Sequence, residues 1–151
     1  MPIRIDHVNL VVSDMERAVR FYTDALHLRR GFEVMLEGAW IATVTGLSGA
    51  HAHCVFMETD DPAVRLELLQ YLHPSGTAID ANSLPHTPGL RHLAFTVDDL
   101  EVVLTRLRAQ GVLPVSAPIE VPFAVGAMGR KRLCYFHDPD GTLLEIASYG
   151  A

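Results

Sequence analysis

Apolar and polar positions fall along the chain in a pattern that occurs twice. Ile5 to Glu16 (IDHVNLVVSDME) aligns without gaps on Leu90 to Glu101 (LRHLAFTVDDLE), with His, Val, Asp and Glu identical and most other positions exchanging one apolar residue for another. Further on, Val64 to Tyr71 (VRLELLQY) aligns on Thr142 to Tyr149 (TLLEIASY). Agreement in order, spacing and residue type reads as a duplication of modules of roughly 75 residues. The modules run from about 1–82 and 89–151 and build one domain over 1–151. They join near the turn-rich stretch Ser83-Leu84-Pro85-His86-Thr87-Pro88-Gly89.

Each module opens with an apolar run rich in β-branched residues, as a strand does. A helix signal follows at once. In the first module Ser13 and Glu16 make a capping-box pattern, and Met15, Ala18, Val19, Tyr22 and Leu26 recur at helical spacing. In the second, Asp98 caps with Glu101 three residues on, Leu100, Val103, Leu104 and Leu107 make the stripe, and Gly111 supplies the stop. Three strands complete each module. In the first they run from Glu33 to Thr45, His51 to Thr59 and Val64 to Tyr71; in the second from Leu113 to Pro118, Lys131 to His137 and Thr142 to Ser148. Gly46 to Ala50 and Gly126 to Gly129 read as loops, and Asp138-Pro139-Asp140-Gly141 as a turn. The order per module is βαβββ. The predicted fold is α+β: two paired βαβββ modules in a curved, cup-shaped mixed sheet with the helices outside.

Because side chains alternate across a strand, this assignment sorts the chemistry. Asp6, Val8, Leu10 and Val12 fall on one face, and His7, Asn9 and Val11 on the other. Leu93, Phe95 and Val97 oppose His92, Ala94 and Thr96 in the same way. On the closing strands Val64, Leu66 and Leu68 oppose Arg65, Glu67, Leu69 and Tyr71, while Leu144 and Ile146 oppose Leu143, Glu145, Ala147 and Tyr149. Each module therefore offers one His and one Glu to the face its helix leaves free. A glutamate in the middle of Leu66-Glu67-Leu68-Leu69 or Leu144-Glu145-Ile146-Ala147 is costly to bury unless something pairs with it. Half-buried strand histidines and solvated glutamates explain any one of these residues. The equivalent placement of all four favours a divalent metal held by His7, Glu67, His92 and Glu145. Two imidazoles and two carboxylates leave an octahedral ion two open positions and suit Ni, Co, Mn, Zn or Fe.

Composition narrows the setting. With 151 residues, 49% hydrophobic and 20% charged, the chain can bury a core and fold alone. A net charge of −6 is the opposite of what phosphate-backbone binding needs, so nucleic acid is excluded as a partner. Two cysteines are too few for a disulfide scaffold. No apolar run reaches the roughly 20 residues that span a bilayer, and the first residues lack the apolar core of a signal peptide. These features predict a soluble, cytoplasmic protein with no membrane partner.

The sequence resembles the vicinal oxygen chelate superfamily, which includes glyoxalase I, methylmalonyl-CoA epimerase, extradiol dioxygenases, and fosfomycin and bleomycin resistance proteins. The likeness covers nearly the whole chain. It is carried by Asp6-His7-Val8 before Ser13-Asp14-Met15-Glu16-Arg17-Ala18-Val19-Arg20-Phe21-Tyr22, by Leu66-Glu67-Leu68, by Gly89-Leu90-Arg91-His92-Leu93-Ala94-Phe95, and by Asp138-Pro139-Asp140-Gly141 leading into Leu144-Glu145-Ile146. The resemblance implies a cup around a metal, with His7, Glu67, His92 and Glu145 at the ligand positions, and a homodimer. The fourth ligand, Glu67, implies the isomerase and lyase branch. There a divalent ion is a Lewis acid to a carbonyl oxygen, and a neighbouring carboxylate takes and returns a proton. Glu145 and Glu67 are the catalytic candidates, with Glu145 preferred by analogy with glyoxalase I.

Two departures point away from glyoxalase I itself: Val11 stands where that family carries an arginine, and His27 where its first helix closes on glycine. Arg65 to Leu69 and Pro88 to His92 look closer to methylmalonyl-CoA epimerase. The expected function is a metal-dependent isomerase, epimerase or lyase that abstracts a proton next to the carbonyl of a small carbonyl or carboxylate substrate. The alternatives are an Fe(II)-dependent ring-cleaving dioxygenase and a non-catalytic small-molecule binding or resistance protein. Asn9, Tyr71 and Tyr149 share the expected cup face and are candidates to bind substrate, although packing explains the tyrosines equally well. Arg130, in the basic cluster Gly129-Arg130-Lys131-Arg132, is a further substrate-binding candidate, with a solvated turn as the plainer reading. His51, His53, His73, His86 and His137 have no equivalent in the other module and are assigned no metal role.

Overall fold

The computed structural model describes residues 3–78 and 84–150. The expected module boundary at 82, and Ser83 in the expected join, lie outside these residues. The chain divides into two compact units, Met1–Ala78 and Ile79–Ala151. The first contains β1 (His7–Val11), α1 (Met15–Leu26), β2 (Arg29–Leu36), α2 (Ala39–Thr45), β3 (His51–Glu58) and β4 (Arg65–His73). The second contains β5 (His92–Thr96), α3 (Leu100–Ala109), β6 (Ile119–Ala124), a single 3-10 turn at Gly126–Met128, β7 (Arg130–His137) and β8 (Leu143–Gly150).

Each unit folds its strands into one four-stranded mixed sheet, ordered β1-β4-β3-β2 in the first and β5-β8-β7-β6 in the second. The opening strand lies parallel to the closing one, and every other pairing is antiparallel. The parallel register sets His7 beside Arg65 and Asn9 beside Glu67 in the first unit. In the second it sets His92 beside Leu143 and Ala94 beside Glu145. The fold class is therefore α+β, built from two repeats of a βαβββ plan, the first with an added helix.

Both long helices follow their apolar stripes. On α1 the buried residues are Met15, Ala18, Val19, Phe21, Tyr22 and Ala25, and on α3 they are Leu100, Val103, Leu104 and Leu107. The caps lie one residue beyond the expected Ser13 and Asp98. Asp14 Oδ1 accepts from the Arg17 amide, and Asp99 Oδ1 accepts from the amides of Glu101 and Val102. A carboxylate with extended backbone at each of these positions reaches the unpaired amides of the first turn.

Two expected strands differ. The stretch from Glu33 to Thr45 is not one strand: β2 ends at Leu36, Gly38 takes φ 93°, and Ala39–Thr45 is α2. Gly38 turns the chain with a backbone a side-chain-bearing residue avoids. The Thr43 and Thr45 hydroxyls then donate back to the carbonyls of Ala39 and Ile41, one turn earlier. Leu113 to Pro118 is also not a strand; the edge strand is β6, six residues later. Pro114 and Pro118 deprive that stretch of ladder donors, and its Val115 amide makes one bond to the Tyr135 carbonyl at 2.8 Å.

Helix α1 closes on His27, which takes the left-handed conformation at φ 57° and ψ 29°, while its amide donates to the Thr23 carbonyl. This is the one described non-glycine residue with positive φ. Such a backbone costs a side-chain-bearing residue about 1 kcal/mol that glycine does not lose. His27 is exposed, so its ring has little packing to lose. His27→Gly is expected to raise unfolding stability by roughly 0.5 to 1 kcal/mol, read as a higher urea midpoint at unchanged slope.

Candidate functional site

Strand alternation puts each His–Glu pair on the face opposite its helix. Val8 and Leu10 are half-buried and Val12 buried, whereas His7, Asn9 and Val11 are exposed. Leu66 and Leu68 are buried on the helix side of β4, where the Gln70 side chain accepts from the Met15 amide at the start of α1. On the other side of the first sheet, His7 Nε2 lies 3.4 Å from Glu67 Oε2. In the second, His92 Nε2 lies 3.3 Å from Glu145 Oε2. The repeat is thus visible in the side chains as well as in the backbone. A further match is that each histidine ring packs on an aromatic side chain of the strand next to the glutamate. His7 meets Phe56 at 5.9 Å between centroids, and His92 meets Tyr135 at 5.2 Å. Phe56 and Tyr135 are the register partners of Glu67 and Glu145.

The surroundings of the two carboxylates differ. Glu67, with 15% of its side chain exposed, accepts from Asn9 Nδ2 at 3.0 Å and from the Cys54 thiol at 3.6 Å. Glu145 is buried, with 3% exposed, and Lys131 Nζ makes an ion pair with its Oε1 at 2.5 Å. The contact with Glu145 pushes the Lys131 ammonium above its ordinary range. A buried carboxylate without such a partner would be strongly destabilising.

Asp6 lies just before β1, so strand alternation does not carry it to the helix side. Its carboxylate contacts His7 Nδ1 at 2.7 Å and accepts twice from Arg65 Nη2, at 2.7 and 2.8 Å. The His7 contact first, then Arg65, hold its carboxyl below the usual range. A carboxylate on Nδ1 leaves Nε2 as the ring's free donor atom and fixes the ring's orientation. The Arg65 guanidinium also sits 4.9 Å over the Phe56 ring.

The other sequence candidates are distributed unevenly. Asn9 shares the face of Glu67 and is engaged by it. Tyr71 pairs with Ala52 in register, and Tyr149 with Lys131, both on the faces that carry the glutamates. Arg130 alternates to the opposite face of β7 and pairs with Glu120 at 2.7 Å. Arg132 does the same with Glu101 at 3.0 Å. The basic cluster is thereby divided, with Lys131 alone turned to Glu145. The sequence singled out Lys131 only as a member of that cluster, and alternation along β7 from Tyr135 separates it from its two neighbours. Among the described residues, no group of three or more His, Cys, Asp or Glu side chains that could hold a metal is gathered. Each unit brings one imidazole and one carboxylate.

Residues 4–146 match the Glyoxalase/Bleomycin resistance protein/Dioxygenase superfamily. Virulence protein STM3117 of Salmonella typhimurium is 30% identical over 148 residues, spanning 97% of this chain and 84% of that protein. A 2-epi-5-epi-valiolone epimerase of Actinomyces sp is 27% identical over 154 residues, spanning 99% and 81%. In structure, a glyoxalase family protein from Bacillus cereus superposes with a TM-score of 0.88 at 26% identity, covering 100% of this chain and 97% of that one. No described helix is long and apolar enough to cross a membrane.

Both cysteines are buried and free. Burial first, and then the Glu67 charge, push the Cys54 thiol up to about 12, and burial raises Cys134 as well. The thiolate is the reactive form, so both stay protonated at neutral and mildly alkaline pH. In the folded protein at pH 8 neither is expected to react with a disulfide reagent such as DTNB within minutes. Both should react on addition of guanidinium, read as thionitrobenzoate absorbance. The chain belongs to the Glyoxalase/Bleomycin resistance protein/Dioxygenase superfamily.

Proposed function

We propose that the protein is a metal-dependent isomerase, epimerase or lyase acting on a small carbonyl compound, with His7, Glu67, His92 and Glu145 as its metal ligands. The observation that carries it is the repeated His–Glu pair. Two donor atoms held by one ion at about 2.1 Å stand roughly 3.0 to 3.4 Å apart, and the Nε2 to Oε2 separations are 3.4 and 3.3 Å. Neutral imidazole and carboxylate are the donor types that suit Ni, Co, Mn, Zn or Fe. Asp6 on His7 Nδ1 is the outer partner that metal-ligating histidines commonly have. The family relatives include one named as an epimerase.

When bound, the ion would supply Lewis acidity toward a substrate oxygen. Proton movement falls to the chain. Glu67 and Glu145 are the two carboxylates of the site, and either can take a proton from the carbon beside the carbonyl and return it there. Return to the opposite face inverts the centre, and return to a neighbouring carbon isomerises the substrate. Asn9, through its amide on Glu67 Oε2, orients one carboxylate. The buried setting of Glu145 keeps water away from the other. Four protein ligands leave fewer open positions than a two-histidine, one-carboxylate set, which favours proton transfer over oxygen chemistry.

Metal analysis of protein purified without chelator tests the reading. About one divalent ion per chain is expected in the parent protein, with a loss of affinity of at least 100-fold in Glu67→Ala and His92→Ala. Asp6→Ala should cost about 10-fold by freeing the His7 ring. Folded parent protein that neither retains nor takes up a divalent ion would sink the proposal. For the chemistry, solvent deuterium entering a 2-methyl-acyl thioester at the carbon beside the carbonyl is the expected result. Whichever of Glu67→Gln and Glu145→Gln keeps metal but loses this exchange names the base.

A further inference from the structure

The basic cluster of β7 has one member that the proposed chemistry leaves without a task. Arg130 and Arg132 are engaged by Glu120 and Glu101 on the opposite face. Lys131 is the one Lys or Arg of β5, β7 and β8 on the face that carries His92 and Glu145. Its side chain is 20% exposed and its ammonium touches the carboxylate at 2.5 Å. Directly across the ladder lies Tyr149, and Tyr135 follows on the same face of β7. The first unit has nothing equivalent: Ala52, which pairs with Tyr71 as Lys131 pairs with Tyr149, is fully buried and uncharged. The cation is therefore an addition peculiar to one repeat, and the repeat alone does not require it.

Charge gives it a use. This step rests on the metal site proposed above. A divalent ion held by two neutral imidazoles and two carboxylates is electrically balanced by them. Glu145 cannot then also neutralise Lys131. On the first sheet Asp6 and Arg65 neutralise each other. Lys131 is left as one uncompensated positive charge beside the metal ligands, in a part-buried position where a Coulombic contact is far stronger than in open water. An ammonium carries three donors, and one contact with Glu145 leaves others to spend.

We propose that Lys131 is an anion-binding residue of the site, and that the substrate class is a small carbonyl compound carrying an oxyanionic group, a carboxylate or a phosphate. The metal ligands serve the carbonyl end, and Lys131 holds the acid end, so the substrate is fixed at two points. A neutral carbonyl compound of the same size would be held at only one. Specificity for anionic substrates then resides in a residue that is not itself a metal ligand.

The test uses the full chain loaded with Co2+ and three hydroxamates that chelate alike: neutral acetohydroxamate, succinate monohydroxamate and phosphonoacetohydroxamate. Binding is followed by the cobalt absorbance. The parent protein is expected to bind at least one of the two anionic probes about 10-fold or more tightly than acetohydroxamate, and the better of the two identifies carboxylate or phosphate as the natural group. Lys131→Met should bring the ratio of anionic to neutral probe affinity close to one, whatever its affinity for acetohydroxamate itself, and Lys131→Arg should keep most of the parent's ratio. Lys131→Gln serves if the Met variant does not fold, and the preference of the parent protein stands as a test without any variant. Parent protein that binds Co2+ and acetohydroxamate but shows no preference for an anion overturns this inference and leaves the metal site intact. A preference that survives in Lys131→Met or Lys131→Gln also overturns it. Failure to bind Co2+ at all removes the metal site, and this inference with it.

Discussion

The rest of the architecture turns on a carboxylate set into the middle of an apolar strand. Glu145 is flanked by the buried side chains of Leu144 and Ile146 and is itself almost wholly covered. A lone carboxylate in such a place is costly, so the fold has to bring partners to it from other strands. It does so from both sides. The parallel neighbour β5 supplies His92 and the antiparallel neighbour β7 supplies Lys131. Glu67 meets the same requirement with His7, Asn9 and Cys54. Sheet order matters for this reason: only a closing strand that lies between the opening strand and the third can be reached from both directions.

This arrangement also accounts for the division of labour between the two faces of each sheet. One face is spent on helix packing and is filled by Leu66 and Leu68, with α1 seated against it, in the first unit. Freed from that duty, the other face can carry polar and titratable groups in a regular two-residue rhythm. The aromatic rings of Phe56 and Tyr135 then form walls beside the histidines. Around each carboxylate the repeats diverge: an amide and a thiol in one unit stand against an ammonium in the other.

Much of this could be read in the chain itself. The His–Glu pairing was legible because alternation is a strict geometric rule, and because the repeat presented the same rule twice. Helices α1 and α3 were legible from their apolar stripes. The errors arose where local chemistry overrode pattern. Trp40 to Val44 is apolar and passed for strand, but Gly38 and the threonine hydroxyls favour a helix turn there. Leu113 and Val115 looked like strand residues, yet Pro114 between them and Pro118 beyond them withhold donors a ladder needs. Lys131 stood only as one member of a basic cluster, and the partners of Asp6 and Lys131 were hidden for a different reason. A contact between strands depends on register, and register was not fixed by the sequence pattern of either strand alone.

The parallel pairing of first and last strands has a consequence for how each unit comes together. His7 and Glu67 are separated by most of their unit, as are His92 and Glu145, and everything between them must be threaded before they can meet. Closing so long a segment carries an entropic cost that grows only slowly with its length, and long-range contacts of this kind form slowly. During synthesis the opening strand of each unit therefore waits, with no strand to pair with in its sheet, until the closing strand has emerged. In the second unit that strand is β8, Leu143–Gly150. A break in the chain before it would leave the histidine of β5 without the carboxylate it pairs with.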